Sequence, residues 1–334
     1  MGFLDTLDTG PSIPTTTPPA HAEPQRMEVW ERVTEKMEEE QPHRFMTRRK
    51  RRRLEAEEER KRDIAAITMR WTTPQTIVVH NPRGNTGKTT ASILLSAAFG
   101  ALGGQSVILL DANPRGNCAQ RLEAPPQFRF NDILDAAPSL RTSDAIARIP
   151  AFATHQPEGR FDAIPGMNTE FVEHDGDTEI GRATITSDEF NLVWETLMRI
   201  YPLMVVDTGN NFDAPTISAL DKATALVIPV SWHKDNLDPA IKLLRDLDTD
   251  HRFRDLGAKA VVVNMERIAE GIDQKRADLY GTAFEESGHT VVTIPCDPEI
   301  GARDKITWSR LMPDTQDGAL KLAAAVSHRL GTGR

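Results

Sequence analysis

Long hydrophobic runs are absent from this 334-residue chain. No segment approaches the roughly 18–20 apolar residues that a membrane-spanning helix needs. The first residues, Met1-Gly2-Phe3-Leu4-Asp5, lack the basic-then-apolar pattern of a secretory signal. Cysteine is scarce. Cys118 and Cys296 are the only two, in no spacing that suggests a metal cage or a redox pair. This excludes a disulfide framework, fits a reducing cytoplasm and reads both as buried small hydrophobes. No nucleophilic triad, metal cluster or internal repeat is legible. A net positive charge is missing too: the formal charge is −9, which argues against a uniformly basic nucleic-acid binder. Residues 1–70 nevertheless hold 14 basic and 14 acidic side chains, so the whole excess of acid lies in the rest of the chain. Charge is arranged in blocks, which leaves room for a local basic surface.

What is present is ordinary for a globular protein, with 39% hydrophobic and 27% charged residues. Residues 1–25 carry Pro11, Pro14, Pro18, Pro19 and Pro24 among threonines and read as a disordered tail. Residues 26–71 read as a charged helical extension. Trp30, Val33 and Met37 follow helical spacing, and Glu57–Lys61 and Glu58–Arg62 are favourable i,i+4 pairs. Within it stand six consecutive cations, Arg48, Arg49, Lys50, Arg51, Arg52 and Arg53. They are either a solvated face balanced by nearby glutamates or a contact for DNA or another polyanion. An anionic membrane surface fits less well, because no strong apolar face lies beside them.

Residues 72–334 read as one α/β domain. Short apolar runs at 75–79, 106–110, 202–206, 224–229, 259–263 and 290–293 suggest strands buried on both faces of a mainly parallel, doubly wound sheet. Helical patterns at 88–102, 188–200, 236–248 and 315–330 fall between or after them, and 119–185 is the least legible part. His80 and His233 read as structural, and Trp308 as a packing anchor.

The chemistry concentrates at strand ends. After Thr76-Ile77-Val78-Val79 comes Arg83-Gly84-Asn85-Thr86-Gly87-Lys88-Thr89-Thr90, and then an Ala-rich helix stopped by Gly103-Gly104. A strand, a glycine-containing loop and Gly-Lys-Thr opening a helix form a phosphate cradle, whose backbone N–H groups and helix dipole attract anions. Lys88 is placed for β- and γ-phosphates, Thr89 for Mg²⁺ and Thr90 for the α-phosphate. The loop departs from G-x-x-x-x-G-K-[ST] at its first position, which is Pro82. Two further strands end in acids. Val107–Leu110 leads to Asp111-Ala112-Asn113-Pro114-Arg115-Gly116-Asn117, and Leu203–Val206 leads to Asp207-Thr208-Gly209. Ligands of open parallel sheets bind at that edge. Asp207 is placed behind the Mg²⁺ and its water shell, while Asp111 is either a site acid or a turn cap.

These motifs resemble the ParA/MinD family of deviant Walker ATPases over about residues 75–330. That family's loop typically reads Lys-Gly-Gly-x-Gly-Lys-Thr-Thr, and its second motif Asp-x-Asp-Pro-Gln-Gly-Asn. Val227-Ile228-Pro229-Val230 is similar to the strand after the second acid. Val261-Val262-Val263-Asn264 and Thr293-Ile294-Pro295-Cys296-Asp297 are similar to the segments that wall the adenine. The resemblance implies a P-loop NTPase sheet flanked by helices, ATP and Mg²⁺ as ligands, and an ATP-bound homodimer. In that dimer the loop's first cation, here Arg83, crosses to the partner's phosphates. It also implies a partner protein that stimulates hydrolysis. Asn113 stands where the family has the acid associated with the hydrolytic water. An amide can hydrogen-bond a water but cannot accept its proton, so slow turnover is expected. Gly209-Asn210-Asn211 also departs from the family's usual prolines and glycine.

Family members that segregate plasmids or chromosomes bind DNA nonspecifically through C-terminal basic residues. Candidates here include Lys242, Arg245, Lys275 and Arg276, each of which reads more readily as an ordinary solvated charge. The terminal Ala-rich helix lacks the large apolar and basic residues of the family's membrane helix, so membrane docking is disfavoured. The expected setting is cytoplasmic, nucleoid-associated if DNA is bound. The alternatives are a nucleotide-regulated accessory ATPase of a secretion or conjugation apparatus and, more weakly, a P-loop metabolic enzyme or kinase.

Overall fold

The computed structural model describes residues 48–114, 116–167, 172–174, 177–179, 184–232, 234–266, 274–302 and 305–330. The proposed tail, the first half of the extension, Arg115 and His233 lie outside them. The chain divides into residues 1–59 and residues 60–334. The charged helix α1, Arg48–Ile67, spans that division.

The second unit is built on an eight-stranded sheet in the order β10-β9-β8-β1-β7-β2-β4-β3. Its strands are β1 (Gln75–Val79), β2 (Val107–Asp111), β3 (Thr154–Gln156), β4 (Phe161–Ile164), β7 (Leu203–Asp207), β8 (Ala225–Val230), β9 (Val261–Met265) and β10 (Thr290–Ile294). All neighbours pair in parallel except β3 with β4. A separate antiparallel pair is formed by β5 (Val172–His174) and β6 (Asp177–Glu179).

Strand side chains alternate between two buried layers, because successive Cβ atoms point to opposite faces. Ile77, Val79, Leu109 and Val205 pack with α2 (Lys88–Leu102) and, through Leu322 and Ala323, with the last helix. Val78, Ile108, Leu110 and Val206 pack on the other face. There they meet Phe190 and Val193 of a helix over Ser187–Leu197 and Leu220 of one over Ala214–Lys222. With both faces covered, the strands read as unbroken apolar runs, as the sequence suggested.

The region 119–185 is made of short pieces: α3 (Cys118–Arg121), α4 (Phe130–Ala136), two 3₁₀ turns and the β3–β4 hairpin. The remaining helices are α5 (Ser187–Leu197), α6 (Ala214–Lys222), α7 (Lys234–Thr249), α8 (Arg254–Ala258), α9 (Gln274–Glu286), α10 (Pro298–Ala302) and α11 (Pro313–Arg329). Helix α5 starts at a reciprocal cap: Thr186 Oγ1 accepts from Glu189 N, and Glu189 Oε2 accepts from Thr186 N. Helix α6 starts at Asp213, whose carboxylate accepts from Thr216 N. Strand β7 sits between β1 and β2, while β8, β9 and β10 extend from the other side of β1. Strand order therefore reverses at the centre of the sheet, and the carboxyl ends of β1, β7 and β2 open there on a crevice.

Candidate active site

The loop after β1 is fixed first by Asn81. Its Nδ2 donates to Pro229 O (2.8 Å) on β8, and its Oδ1 accepts from Arg83 N (2.8 Å). Two left-handed residues then turn the chain, Asn85 (φ 62°) and Gly87 (φ 89°). Asparagine tolerates that region better than most L-residues, and glycine occupies it freely. Gly87 is the residue immediately before α2. Thr86 is buried and donates weakly to Arg83 O (3.4 Å), whereas Arg83 itself is exposed.

Lys88 turns back into this loop and is 7% exposed. Its Nζ donates to Asn81 O (3.0 Å), Arg83 O (3.0 Å) and Asn210 Oδ1 (2.5 Å). Burial lowers its pKa from 10.5 to about 8, against the opposing charge of Asp207. Thr89 Oγ1 donates to Asp207 Oδ2 (2.6 Å), and Ser92 Oγ reaches Asp207 Oδ1 (3.3 Å) and Lys88 O (3.0 Å). Asp207 and Asp111 are direct register partners at the ends of β7 and β2. Burial raises the pKa of both, and the charge of Asp207 raises Asp111 further. Asp111 takes up the turn-capping arrangement: its Oδ1 accepts from Asn113 N (2.9 Å). A Cβ on Gly116 would fall 2.1 Å from Asp111 Oδ2, so the backbone of the following turn closes over the carboxyl group. Asp111 thus lies beneath the site and Asn113 reaches the open side.

That open side is a cleft of about 290 Å³, lined among others by Asn85, Gly87, Lys88, Thr89, Thr90, Asn113 and Asn210. Gly84 approaches Asn210 closely: a Cβ there would lie 3.2 Å from Asn210 Nδ2. Behind the cleft, Thr208 Oγ1 donates to Val79 O (2.9 Å) and pairs with His80 Nδ1 at 2.8 Å. His80 is fully buried, and its pKa falls to about 3 through burial and then the charge of Lys88. It ties β1 to the loop after β7, the structural role expected of it.

A second cleft of about 280 Å³ adjoins the first and shares Gly87, Thr90 and Arg121 with it. Its other lining residues include Met265, Pro295, Cys296, Asp297 and Ile300. Cys296 is half-buried in this wall, not enclosed like Cys118, because the chain leaves β10 there. Asn264 does not line the cleft. It is buried at the end of β9, and neither of its amide atoms has a hydrogen-bond partner. Asp297 is occupied as a cap, its two oxygens accepting from Glu299 N and Met312 N, both at 2.8 Å.

The basic candidates for DNA are not among the residues that border either cleft. Lys50, Arg51, Arg52 and Arg53 are exposed on α1, which also carries Arg48 and Arg49, and Arg51 lies 3.6 Å from Glu55. On α7, Lys242 pairs with Asp246 at 2.6 Å, and Arg245 borders an apolar groove with Tyr280 and Phe284. Lys275 and Arg276 belong to α9, their side chains outside the described residues. Among the described residues no helix is long and apolar enough to cross a membrane.

Asn210 and Arg121 line the phosphate cleft without a role assigned from the sequence. Asn210 was visible only as a departure after Asp207. Arg121 lay in the illegible stretch with no motif to mark it.

The family model described as an AAA domain matches residues 74–252, more than half of the chain. No curated protein matches the sequence. Among solved structures, a ParA family ATPase from Chlorobium tepidum TLS is similar at a TM-score of 0.54 and 15% identity, covering 77% of this chain and 96% of that one. A cobyrinic acid a,c-diamide synthase from Mycobacterium smegmatis, with bound ATP analogue and magnesium, is similar at 0.52 and 14%, covering 78% and 98%. An ATP complex of Cyanothece McdA is similar at 0.51 and 15%, covering 76% and 97%. At such identities the likeness establishes the fold, which is the eight-stranded sheet with its phosphate loop between β1 and α2. By the matched model, which spans more than half of the chain, the chain belongs to the AAA-domain family, and its fold is similar to that of a ParA family ATPase.

Proposed function

We propose that the protein binds MgATP in the two joined clefts, hydrolyses it slowly, and uses the bound state to form a dimer that holds DNA and meets a stimulating partner. The observation that carries this reading is the Lys88–Thr89–Asp207 arrangement at the mouth of a cleft that runs on to a second, less polar one. The residues fit a hard cation: Thr89 offers a hydroxyl oxygen, and Asp207 lies directly behind it as a carboxylate. Mg²⁺ would supply charge neutralisation on the phosphates. Lys88 exchanges Asn210 and the two carbonyls for β- and γ-phosphate oxygens, which give its ammonium a charged partner. Asn113 faces the open side, where it hydrogen-bonds the attacking water without taking its proton. Pro295 and Cys296 wall the second cleft where the base is proposed to lie, and the unpartnered amide of Asn264 is buried at the end of β9, outside that lining. Asp297 contributes by holding the base wall in place.

Arg83, exposed at the loop's edge, is the group proposed to cross to the partner's phosphates. For DNA, the six consecutive cations Arg48–Arg53 are favoured over Lys242, a single exposed charge beside Asp246. Partition of a plasmid or chromosome is the favoured setting. The test is ATP binding, phosphate release, sedimentation and nonspecific DNA binding by the full chain across a salt series. Binding of ATP, loss of it in Lys88→Ala, and ATP-dependent DNA affinity that falls steeply with salt are expected. Absence of ATP binding overturns the reading. Binding without any DNA affinity removes partition and leaves an accessory ATPase.

A further inference from the structure

We infer that Arg121 is a nucleotide-binding residue, a cis α-phosphate clamp that stands between the phosphate and base clefts. The inference rests on the MgATP reading above and adds to it a contact that no loop motif encodes.

Both clefts are bordered by the same three residues, Gly87, Thr90 and Arg121. A nucleotide with its β- and γ-phosphates at Lys88 and its base beside Pro295 has to cross this shared wall. The part of the molecule that lies between β-phosphate and ribose is the α-phosphate. Gly87 offers backbone there and Thr90 a hydroxyl, while Arg121 offers the charge. Its Nη2 already donates to Thr90 Oγ1 at 3.3 Å, so the guanidinium lies over the residue at that crossing. Among the described residues bordering the phosphate cleft, Lys88 and Arg121 are the two cations.

The backbone that carries Arg121 is held on both sides. Cys118 is fully buried at the start of α3 and Leu122 is 1% exposed just after it. Arg121 O accepts from Ile306 N at 2.9 Å. With the backbone so anchored, only the side chain has to be ordered when it engages a ligand, and its bond to Thr90 already restrains that side chain. Arginine suits the place because its planar fork can bond a phosphate oxygen while still reaching the threonine hydroxyl.

The experiment measures affinities of AMP, ADP, ATP and adenosine for the full chain and for Arg121→Ala, Arg121→Lys and Lys88→Ala. Arg121→Ala is expected to weaken AMP, ADP and ATP by a common factor of roughly 10–100, the worth of one charge-assisted hydrogen bond, and to leave adenosine unchanged. Lys88→Ala should weaken ADP and ATP but spare AMP, and Arg121→Lys should recover part of the loss. The inference is overturned if Arg121→Ala leaves all three nucleotides unchanged, if it weakens ATP alone, or if adenosine falls by the same factor. If the unaltered protein binds none of the nucleotides, the MgATP reading itself fails, a result distinct from each of these.

Discussion

His80 shows what a single buried residue costs a site that must stay polar. Its ring is fully enclosed, paired with Thr208 and close enough to Lys88 to feel its charge. The folded protein therefore holds His80 neutral down to about pH 3, whereas the unfolded chain protonates it near the ordinary histidine value of 6.5. Between those values the unfolded state binds more protons, so stability falls as pH drops from 6.5 toward 3. At pH 5 the loss attributable to His80 is about 2 kcal/mol, from 1.36 kcal/mol per pH unit. His80→Asn keeps a donor for Thr208 and removes the titration. Urea unfolding at pH 7 and pH 5 should show the unaltered protein losing about 2 kcal/mol more than the variant. Equal losses would mean that the ring titrates normally. Lys88 displays the same economy in reverse. Its three oxygen partners keep a buried ammonium tolerable until phosphate replaces them, and Asn210, the shortest of these contacts, holds the place.

Among the elements, the turn into α2 is the most constrained. Gly87 has φ 89°, which costs an L-residue about 1–2 kcal/mol. A Cβ there would also come within 3.0 Å of Met265 Cγ at the end of β9. Gly87→Ala should therefore destabilise the protein by about 1–2 kcal/mol and weaken ATP binding, because Gly87 borders both clefts. Gly281→Ala in α9, where nothing lies within 4 Å of the added carbon, should be neutral or stabilising by about 0.4–1 kcal/mol. Denaturant midpoints compare the two, and equal shifts would remove the argument from backbone geometry. Elements of this kind were the readable ones. The central strands could be found because they are buried on both faces, and each acid-ended strand announces its edge of the sheet. They run one residue further than their apolar cores, so Asp111 and Asp207 are themselves ladder residues. Arg121 could not be found this way. It sits on a four-residue helix, too short to show a period, held by the burial of Cys118 and Leu122 and by the long-range bond from Ile306 N to Arg121 O.

On the scale of the whole molecule, the site is assembled from two parts of the sheet with different origins in the chain. The phosphate part comes from β1, β2 and β7, all within the matched residues 74–252. The second cleft leans on β9 and β10, which begin at Val261 and Thr290, beyond that match. In the sheet, β8 separates β9 from β1, so no hydrogen-bonded ladder joins the two parts directly. A nucleotide lying across Gly87, Thr90 and Arg121 would add that link. Binding to the native state alone stabilises whatever segments the ligand ties together. Hydrogen exchange should report this locally, since opening free energies differ from segment to segment. Saturating MgATP is expected to slow exchange at residues 83–90, 116–122 and 294–301 together, and to leave the β3–β4 hairpin unchanged. Protection confined to 83–90 would place the phosphates in the loop but the base outside the second cleft, and would separate Arg121 from the ligand. Protection at all three segments in the unaltered protein, with 294–301 and 116–122 lost in Arg121→Ala, would identify that side chain as the joint between the two parts.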